Sequence, residues 1–203
     1  SILFAHNLSV NGSALQRKHV LPRAASGEWI GGLCMTEPAV GTDVLALKTT
    51  ARRDGDVFRL TGTKTFITNG GISDTDLGDC FIVYAATAPK TISSFLVEKG
   101  MPGFALGQQW KDKLGMRASF TAELVFDEVP VPLANQIGAD GEGTIHMMRN
   151  LEIERLTLAE KRRRVIGPAK LDVDLCLLAN GQDCTACIRA CPYEALAVFM
   201  VDL

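Results

Sequence analysis

The segment TARRDGDVFRLTGTKTFITN, residues 50–69, decides the fold that we predict for this chain. Asp54-Gly55 separates TARR from VFRLTG, and an Asp-Gly pair between two such runs is a strong signal for a β-hairpin. Asn69-Gly70-Gly71 follows the last run of the segment and is a second turn signal. We therefore predict strands at residues 45–53, 57–61 and 64–68, with a hairpin turn at Asp54-Gly55.

The same alternation of short apolar runs and turn residues extends outward from this segment, from Trp29 to Pro132. It predicts five further strands, at residues 30–35, 80–86, 93–98, 104–109 and 121–129. Turn spacing of this kind is typical of an all-β sandwich or a closed barrel. Helices are predicted before and after this region, so the fold class is mainly β with flanking helices.

Two helices are predicted ahead of the strands. Residues 1–10 are apolar and helix-like, and a second helix begins near Ala14 and runs toward Pro22. Ser13 and Gln16 stand at the spacing of a capping box, in which each side chain bonds the main chain of the other residue. The chain begins with Ser inside an apolar run, without the basic start of a signal peptide. We therefore expect a fragment of a longer protein.

Composition excludes several classes of protein. The 203 residues are 47% hydrophobic and 22% charged, which argues against a disordered chain. The net charge of −2 disfavours a nucleic-acid partner, because nucleic-acid binders are usually basic. Its apolar runs are too short to predict a membrane span. We expect a cytoplasmic protein, or one of the mitochondrial matrix if the source is eukaryotic.

Two motifs with chemical content lie at predicted strand ends. The first is Leu33-Cys-Met-Thr-Glu-Pro-Ala-Val-Gly-Thr-Asp43, and the second is Phe66-Ile-Thr-Asn69. Each motif alone indicates only a strand end followed by polar turn residues. Together with their order and spacing they resemble the acyl-CoA dehydrogenase family, and most of all its isovaleryl-CoA type. The resemblance covers residues 1–159, and further matching segments are Gly12-Ser13, Leu21-Pro22, Glu98-Lys-Gly-Met-Pro-Gly103, Lys113-Leu-Gly-Met-Arg117 and Glu123-Leu-Val-Phe126.

The resemblance implies a division of the chain into four parts. Residues 1–28 would end an N-terminal helical domain, residues 29–138 would form the middle β-barrel domain, and residues 139–166 would begin a truncated C-terminal helical domain. Residues 167–203 form a short Cys-rich tail outside the resemblance.

The resemblance also implies a bound FAD that lies across strand ends of the barrel. Phe66 takes the place of the aromatic residue, usually Trp, that packs on the flavin. Thr42 matches a residue that contacts the pyrophosphate or the substrate. Hydroxyl and N–H donors would stabilise the negative charge that reduction places on the ring. The residues that match flavin-contacting positions are Leu33, Met35, Thr36, Thr42, Phe66, Ile67 and Thr68.

A helix from Ile145 past Ala159, capped by Thr144, contains a candidate general base. Glu154 lies in the apolar stripe of this helix, where loss of water would raise its pKa toward the working pH. The alternative is an exposed Glu154 beside a surface pair of Glu152 and Arg155.

The resemblance implies that Glu154 removes a proton alpha to the thioester of an acyl-CoA substrate, with Glu152 and Arg155 contacting that substrate. It also implies an electron-transfer flavoprotein as the electron acceptor and a homotetramer.

The tail contains four of the six cysteines. The pattern Cys184-x-x-Cys187-x-x-x-Cys191-Pro resembles a ferredoxin-type motif, and Cys176 could supply a fourth thiolate to one [4Fe–4S] cluster. A zinc site and free thiols are the alternatives.

Three alternative functions are consistent with these predictions. The chain is an incomplete acyl-CoA dehydrogenase, a fusion in which a cluster takes electrons from the flavin, or an inactive remnant. Thermal stabilisation by FAD would distinguish the enzyme from the inactive remnant, and the iron content would identify the fusion.

Overall fold

The computed structural model describes residues 2–155, with their side chains up to residue 150. The described side chains belong to one unit of the fold, Ser1–Asn150. Within the described residues, the chain's helices are α1 (Ile2–Asn11), α2 (Ala14–Ser26) and α3 (Gly143–Arg155). Its strands are β1 (Gly31–Cys34), β2 (Thr50–Asp54), β3 (Val57–Thr68), β4 (Cys80–Ala88), β5 (Thr91–Glu98), β6 (Phe104–Gln109), β7 (Thr121–Pro132) and β8 (Gln136–Ile137), and short 3₁₀ turns lie at Val44–Ala46 and Leu133–Asn135.

All eight strands described belong to one sheet, so the mainly β fold class with flanking helices is confirmed. The strand order is β6-β7-β3-β2-β4-β5-β8, and β1 pairs in parallel with β4. The hairpin of β2 and β3 turns where it is expected, since Asp54 pairs with Val57 and Gly55 has a φ of 59°. A positive φ is strained for other residues, which explains glycine at this turn.

The hairpin of β4 and β5 is the core of the sheet because both of its faces are covered. Phe81, Val83 and Phe95 face a cluster formed with β2, β3, β6 and β7. Ile82 and Leu96 face the opposite way, into a cluster that includes side chains of α1, α2 and α3. Two covered faces explain why β4 and β5 are almost continuously buried, whereas strands with one exposed face alternate.

Polar contacts connect the helices to this hairpin. Asn7 of α1 donates to the Tyr84 hydroxyl at 2.8 Å. The Ser94 hydroxyl lies 2.8 Å from Nδ1 of His146 in α3, and both side chains are buried. The capping box of α2 is also present, with Gln16 N donating to Ser13 Oγ and Ser13 N donating to Gln16 Oε1.

Three details of the structure differ from the predicted elements. Residues 45–49 are not part of a strand, because Lys48 and Thr49 donate their main-chain N–H groups to the Glu37 carboxylate. Residues 57–68 form one long strand with two register shifts against β7, where two separate strands were predicted. Helix α2 continues past Pro22 and ends at Gly27, whose φ is 79°.

Helix α3 begins at Gly143, one residue before the predicted cap Thr144, and its predicted course beyond residue 155 lies outside the described residues. Among the described residues, no helix has the length and apolar character needed to cross a bilayer.

Candidate cofactor site

The ends of β1 and β3 meet at one edge of the sheet, which brings the two sequence motifs together. Thr65 N donates to the carbonyl of Thr36 at 2.8 Å. Asn69 Nδ2 donates to the carbonyl of Gly31 at 3.2 Å. A Cβ atom on Gly32 would lie 2.9 Å from the Thr68 carbonyl oxygen, so the close approach of the two chains requires glycine there.

A buried ion pair fixes the turn that follows β1. Lys64 of β3 is fully buried, and its Nζ donates to Glu37 Oε1 at 2.8 Å and to the Met35 carbonyl at 3.3 Å. The Glu37 carboxylate also accepts from Lys48 N at 2.6 Å, from Thr49 N at 2.9 Å and from the Thr49 hydroxyl at 2.6 Å. A buried charge is tolerated only when it is paired and hydrogen-bonded in this way.

The same contacts decide the charge of Glu37. Burial alone would raise the pKa of its carboxyl, but the Lys64 ammonium and the three hydrogen bonds bring the pKa below its usual value. Glu37 is therefore an anion at neutral pH. Sequence reasoning missed this pair, although a lysine within a strand otherwise rich in Thr, Phe and Ile was a signal for a buried partner.

Phe66 is turned outward by a bulge in β3. Its φ is 56°, and the register of β3 against β7 shifts between Lys64 and Ile67. The ring is 60% exposed and lies 4.6 Å from the ring of Trp110, centroid to centroid. The bulge thus places an exposed aromatic ring two residues before the exposed Thr68, at the edge where the ends of β1 and β3 meet, which we call the rim.

The hydroxyls predicted to contact a cofactor are free to do so. Within residues 2–150, no side-chain hydrogen bond is formed by Thr36, Thr42 or Thr68. Thr42 and Thr68 are exposed and Thr36 is half-buried. Thr42 follows the tight turn in which Glu37 N donates to Val40 O at 2.9 Å, and within residues 2–150 no hydrogen bond joins it to the other predicted residues.

The remaining predicted residues contribute mainly packing. Ile67 is buried in the cluster beneath the rim, so only its main chain can reach a ligand. Leu33 and Met35 are half-buried and pack on the helix-side cluster. Unpaired hydroxyls beside an exposed aromatic ring fit the chemistry of a flavin, which needs hydrogen-bond donors at its polar edge and an apolar surface along its plane.

A basic cleft elsewhere on the sheet was not predicted from the sequence. It has a volume of about 480 Å³ and lies between β2 and the hairpin of β4 and β5. Arg52, Arg53 and Lys90 supply its positive charge, and Leu45 and Leu47 are part of its apolar lining. Arg52 also bonds Glu128 at 3.2 Å. Arg52 and Arg53, which are adjacent in β2, were the sequence signal that could have predicted a basic surface here.

The other predicted site residues lie at or beyond the limit of the description. Glu152, Glu154 and Arg155 belong to the end of α3, and their side chains are outside the described residues. The four tail cysteines, Cys176, Cys184, Cys187 and Cys191, lie wholly outside. Among described residues, Cys34 and Cys80 are buried free thiols, burial raises the pKa of each, and no group of potential metal ligands is found.

Residues 32–129 match the family model described as acyl-CoA dehydrogenase, middle domain. These residues therefore form a domain of the acyl-CoA dehydrogenase middle-domain type. It is 43% identical over 165 residues to a protein named mitochondrial isovaleryl-CoA dehydrogenase from Pongo abelii, a match that covers 78% of this chain and 38% of that protein. The chain therefore spans about two fifths of the length of the curated relatives that it matches.

Solved structures agree with the sequence comparison. An acyl-CoA dehydrogenase from Geobacillus kaustophilus superposes with a TM-score of 0.67 at 36% identity, covering 73% of this chain and 40% of that one. An acyl-CoA dehydrogenase from Bacillus anthracis, solved as a complex with FAD, gives a TM-score of 0.68 at 34% identity, with 75% and 26% covered. The β fold of this chain is thus the fold found in the matching part of these acyl-CoA dehydrogenases.

Proposed function

We propose that this chain is part of an FAD-dependent acyl-CoA dehydrogenase and that the rim formed by the ends of β1 and β3 binds the flavin. The observation that carries the proposal is the hydrogen bond from Thr65 N to the Thr36 carbonyl at 2.8 Å, which joins the first motif to the residue directly before the second. The same end of β3 contains the exposed ring of Phe66 and the unpaired hydroxyl of Thr68. A relative of similar fold was solved with FAD, which supports the same cofactor here.

In this proposal the flavin, when bound, supplies the two-electron acceptor for the hydride that leaves the β carbon of the acyl chain. Glu154 takes the proton from the α carbon, so a carbon–carbon double bond forms next to the thioester. Thr36 and Thr68 donate hydrogen bonds where negative charge develops on the ring. Phe66 covers part of the ring and keeps water away from it.

The acyl-CoA substrate is proposed to contact Thr42, Glu152 and Arg155. The basic cleft adds Arg53 and Lys90 as partners for the phosphates of coenzyme A, since phosphate groups bind arginine and lysine side chains. Replacement of both residues by Ala should weaken coenzyme A binding and reduce its salt dependence. Isothermal titration at two salt concentrations measures both effects. Unchanged affinity would remove the cleft from the substrate site.

The first experiment tests the cofactor. Titration of the chain with FAD should change the flavin fluorescence and raise the melting temperature, because a ligand that binds the folded state stabilises it. Thr68→Val removes one rim hydroxyl and should weaken FAD binding. Thr63→Val makes the same change earlier in β3 and should leave it unaltered. A chain that never binds FAD would refute the flavin site for these residues and favour the inactive remnant.

The second experiment tests the base. Glu154→Gln should lower the rate of acyl-CoA oxidation with an artificial electron acceptor while leaving FAD binding unchanged. A loss of less than about tenfold, which is about 1.4 kcal/mol in the barrier, would reject Glu154 as the base. An electron-transfer flavoprotein is proposed as the natural acceptor, and replacing the artificial acceptor with such a protein tests that partner.

The remaining proposals concern assembly, location and the tail. A homotetramer is expected by resemblance to the family, and sedimentation measures it. A cytoplasmic location stays a prediction, and the name of the mitochondrial relative from Pongo abelii supports the mitochondrial matrix for a eukaryotic source. The [4Fe–4S] cluster at the tail cysteines stays a prediction from the motif alone. Iron and sulfide analysis after anaerobic purification decides between a cluster and the alternatives of zinc and free thiols.

A further inference from the structure

The ion pair of Glu37 and Lys64 joins three separate stretches of main chain at the rim. Lys64 belongs to β3 and bonds the Met35 carbonyl after β1. Glu37 belongs to the turn after β1 and receives the N–H groups of Lys48 and Thr49 before β2. Glu37 and Lys64 lie 27 residues apart in the sequence. No other buried ion pair is found among residues 2–150, and the other seven pairs there each include a side chain at least 39% exposed.

Stability alone does not account for a pair of this kind. Removing two charges from water costs free energy that their attraction often only just repays, and apolar side chains of the same volume are commonly as stabilising. The surroundings here are apolar, since Lys64 is flanked in the structure by buried Leu124 of β7, with which it pairs in register. Two apolar side chains at these positions could not form the directional hydrogen bonds that Lys64 and Glu37 form with the main chain.

The residues directly after Lys64 show which part of the structure these directional hydrogen bonds hold in place. Thr65 N bonds the Thr36 carbonyl, and the bulge at Phe66 begins at the next residue. Phe66 holds a φ of 56°, a conformation that costs an L-residue about 1–2 kcal/mol and persists only where neighbouring contacts impose it. Lys64 is anchored on one side of that bulge and Ile67 is buried on the other.

We propose that the Glu37–Lys64 pair is a positioning device for the flavin rim. It holds the Thr36 main chain against β3 and keeps the bulge that presents Phe66 at the surface. The pair itself does not contact the flavin, and its effect reaches the cofactor through Thr36 and Phe66. The proposal rests on the flavin site proposed above.

The test uses the whole chain with Lys64→Met, which keeps the aliphatic volume and removes both contacts of the ammonium. The affinity for FAD is measured by fluorescence titration where circular dichroism shows the variant folded. Hydrogen exchange of the FAD-free chain is measured by mass spectrometry. Arg59→Met is the matched control, since it removes an exposed pair with Asp54 from the same strand.

We expect Lys64→Met to weaken FAD binding at least about tenfold, and to speed exchange selectively in peptides that cover residues 33–42 and 64–69. Arg59→Met should change neither by more than about twofold. An FAD affinity within about twofold of the unmodified chain, or faster exchange that extends equally to β4 and β5, would overturn the proposal, because a purely structural pair destabilises the whole fold.

The experiment remains decisive if the unmodified chain binds no FAD or if Lys64→Met does not fold. If the unmodified chain binds no FAD, the proposed function fails, and the exchange of residues 33–42 and 64–69 alone decides the positioning role. If Lys64→Met does not fold, Glu37→Gln replaces it, since Gln keeps an acceptor for Lys48 N or Thr49 N while removing the charge. The same two criteria then apply to Glu37→Gln.

Discussion

The hairpin of β4 and β5 and the rim at the ends of β1 and β3 belong to the same sheet but are built from opposite kinds of interaction. The hairpin is covered on both faces by mainly apolar clusters, and its side chains from Cys80 to Ala85 are all buried. The rim contains a buried ion pair, unpaired hydroxyls and two non-glycine residues with positive φ, Phe66 and Asn69. The hairpin stabilises the fold, and this stability offsets the cost of the strained and polar geometry at the rim. Such a division is typical of functional sites.

The largest effect is expected from breaking the hairpin. Phe95 is fully buried and its ring lies 4.9 Å from that of Phe58. Phe95→Ala should lower the free energy of unfolding by about 3–5 kcal/mol, because it removes apolar contacts and leaves a cavity. Urea unfolding measures the loss. FAD affinity of the molecules that remain folded should be nearly unchanged, and a selective loss of affinity would mean that the two regions are not separate.

The reverse outcome is expected at the rim. Phe66→Ala removes an exposed ring, so the free energy of unfolding should change by less than about 1 kcal/mol. FAD binding should weaken about tenfold, or about 1.4 kcal/mol, because the flavin loses its aromatic contact. Fluorescence titration and urea unfolding of the same preparation give both numbers. Phe120→Ala, which also removes an exposed aromatic ring, serves as the control for exposure alone.

A pH-dependent effect is expected where α3 packs on the hairpin. Burial lowers the pKa of His146 below its ordinary 6.5, nearby Glu142 acts against that shift, and Arg149 adds to it. The unfolded chain therefore binds a proton at a higher pH than the folded chain does. Stability should fall as the pH drops below about 6.5, toward the lowered pKa of the folded state.

The variant that isolates this effect is His146→Gln, which keeps a polar side chain near Ser94 without a titrating group. Urea midpoints at pH 7.5 and pH 5.5 should differ less for the variant than for the unmodified chain. An equal difference in both proteins would assign the acid sensitivity to other groups.

The smallest effect is expected at exposed ion pairs, which belong to neither region. Lys99 and Asp76 are 3.3 Å apart with both side chains exposed. Asp76→Asn should change the free energy of unfolding by less than about 1 kcal/mol and leave FAD binding unaltered. A larger loss of stability would show that the loop before β4 also contributes substantially to the stability of the fold.

Much of the fold was predictable because it depends on neighbours in the chain. Asp54-Gly55 is a turn for local reasons of backbone conformation, and the capping box of Ser13 and Gln16 spans three residues. Strand β6 was predicted with the bounds that it has, Phe104–Gln109. The error at residues 45–49 came from a distant partner, since the N–H groups of Lys48 and Thr49 bond the carboxylate of Glu37.

The sequence by itself determined the local elements, the mainly β class and the two motifs that resemble a flavin site, because periodicity, turn chemistry and residue order are properties of the linear chain. Only the tertiary structure decided that these motifs meet, that Lys64 is buried against Glu37 and that Phe66 faces outward. Each of these depends on contacts between residues far apart in the chain, where pairing, burial and register are settled together by the packed sheet.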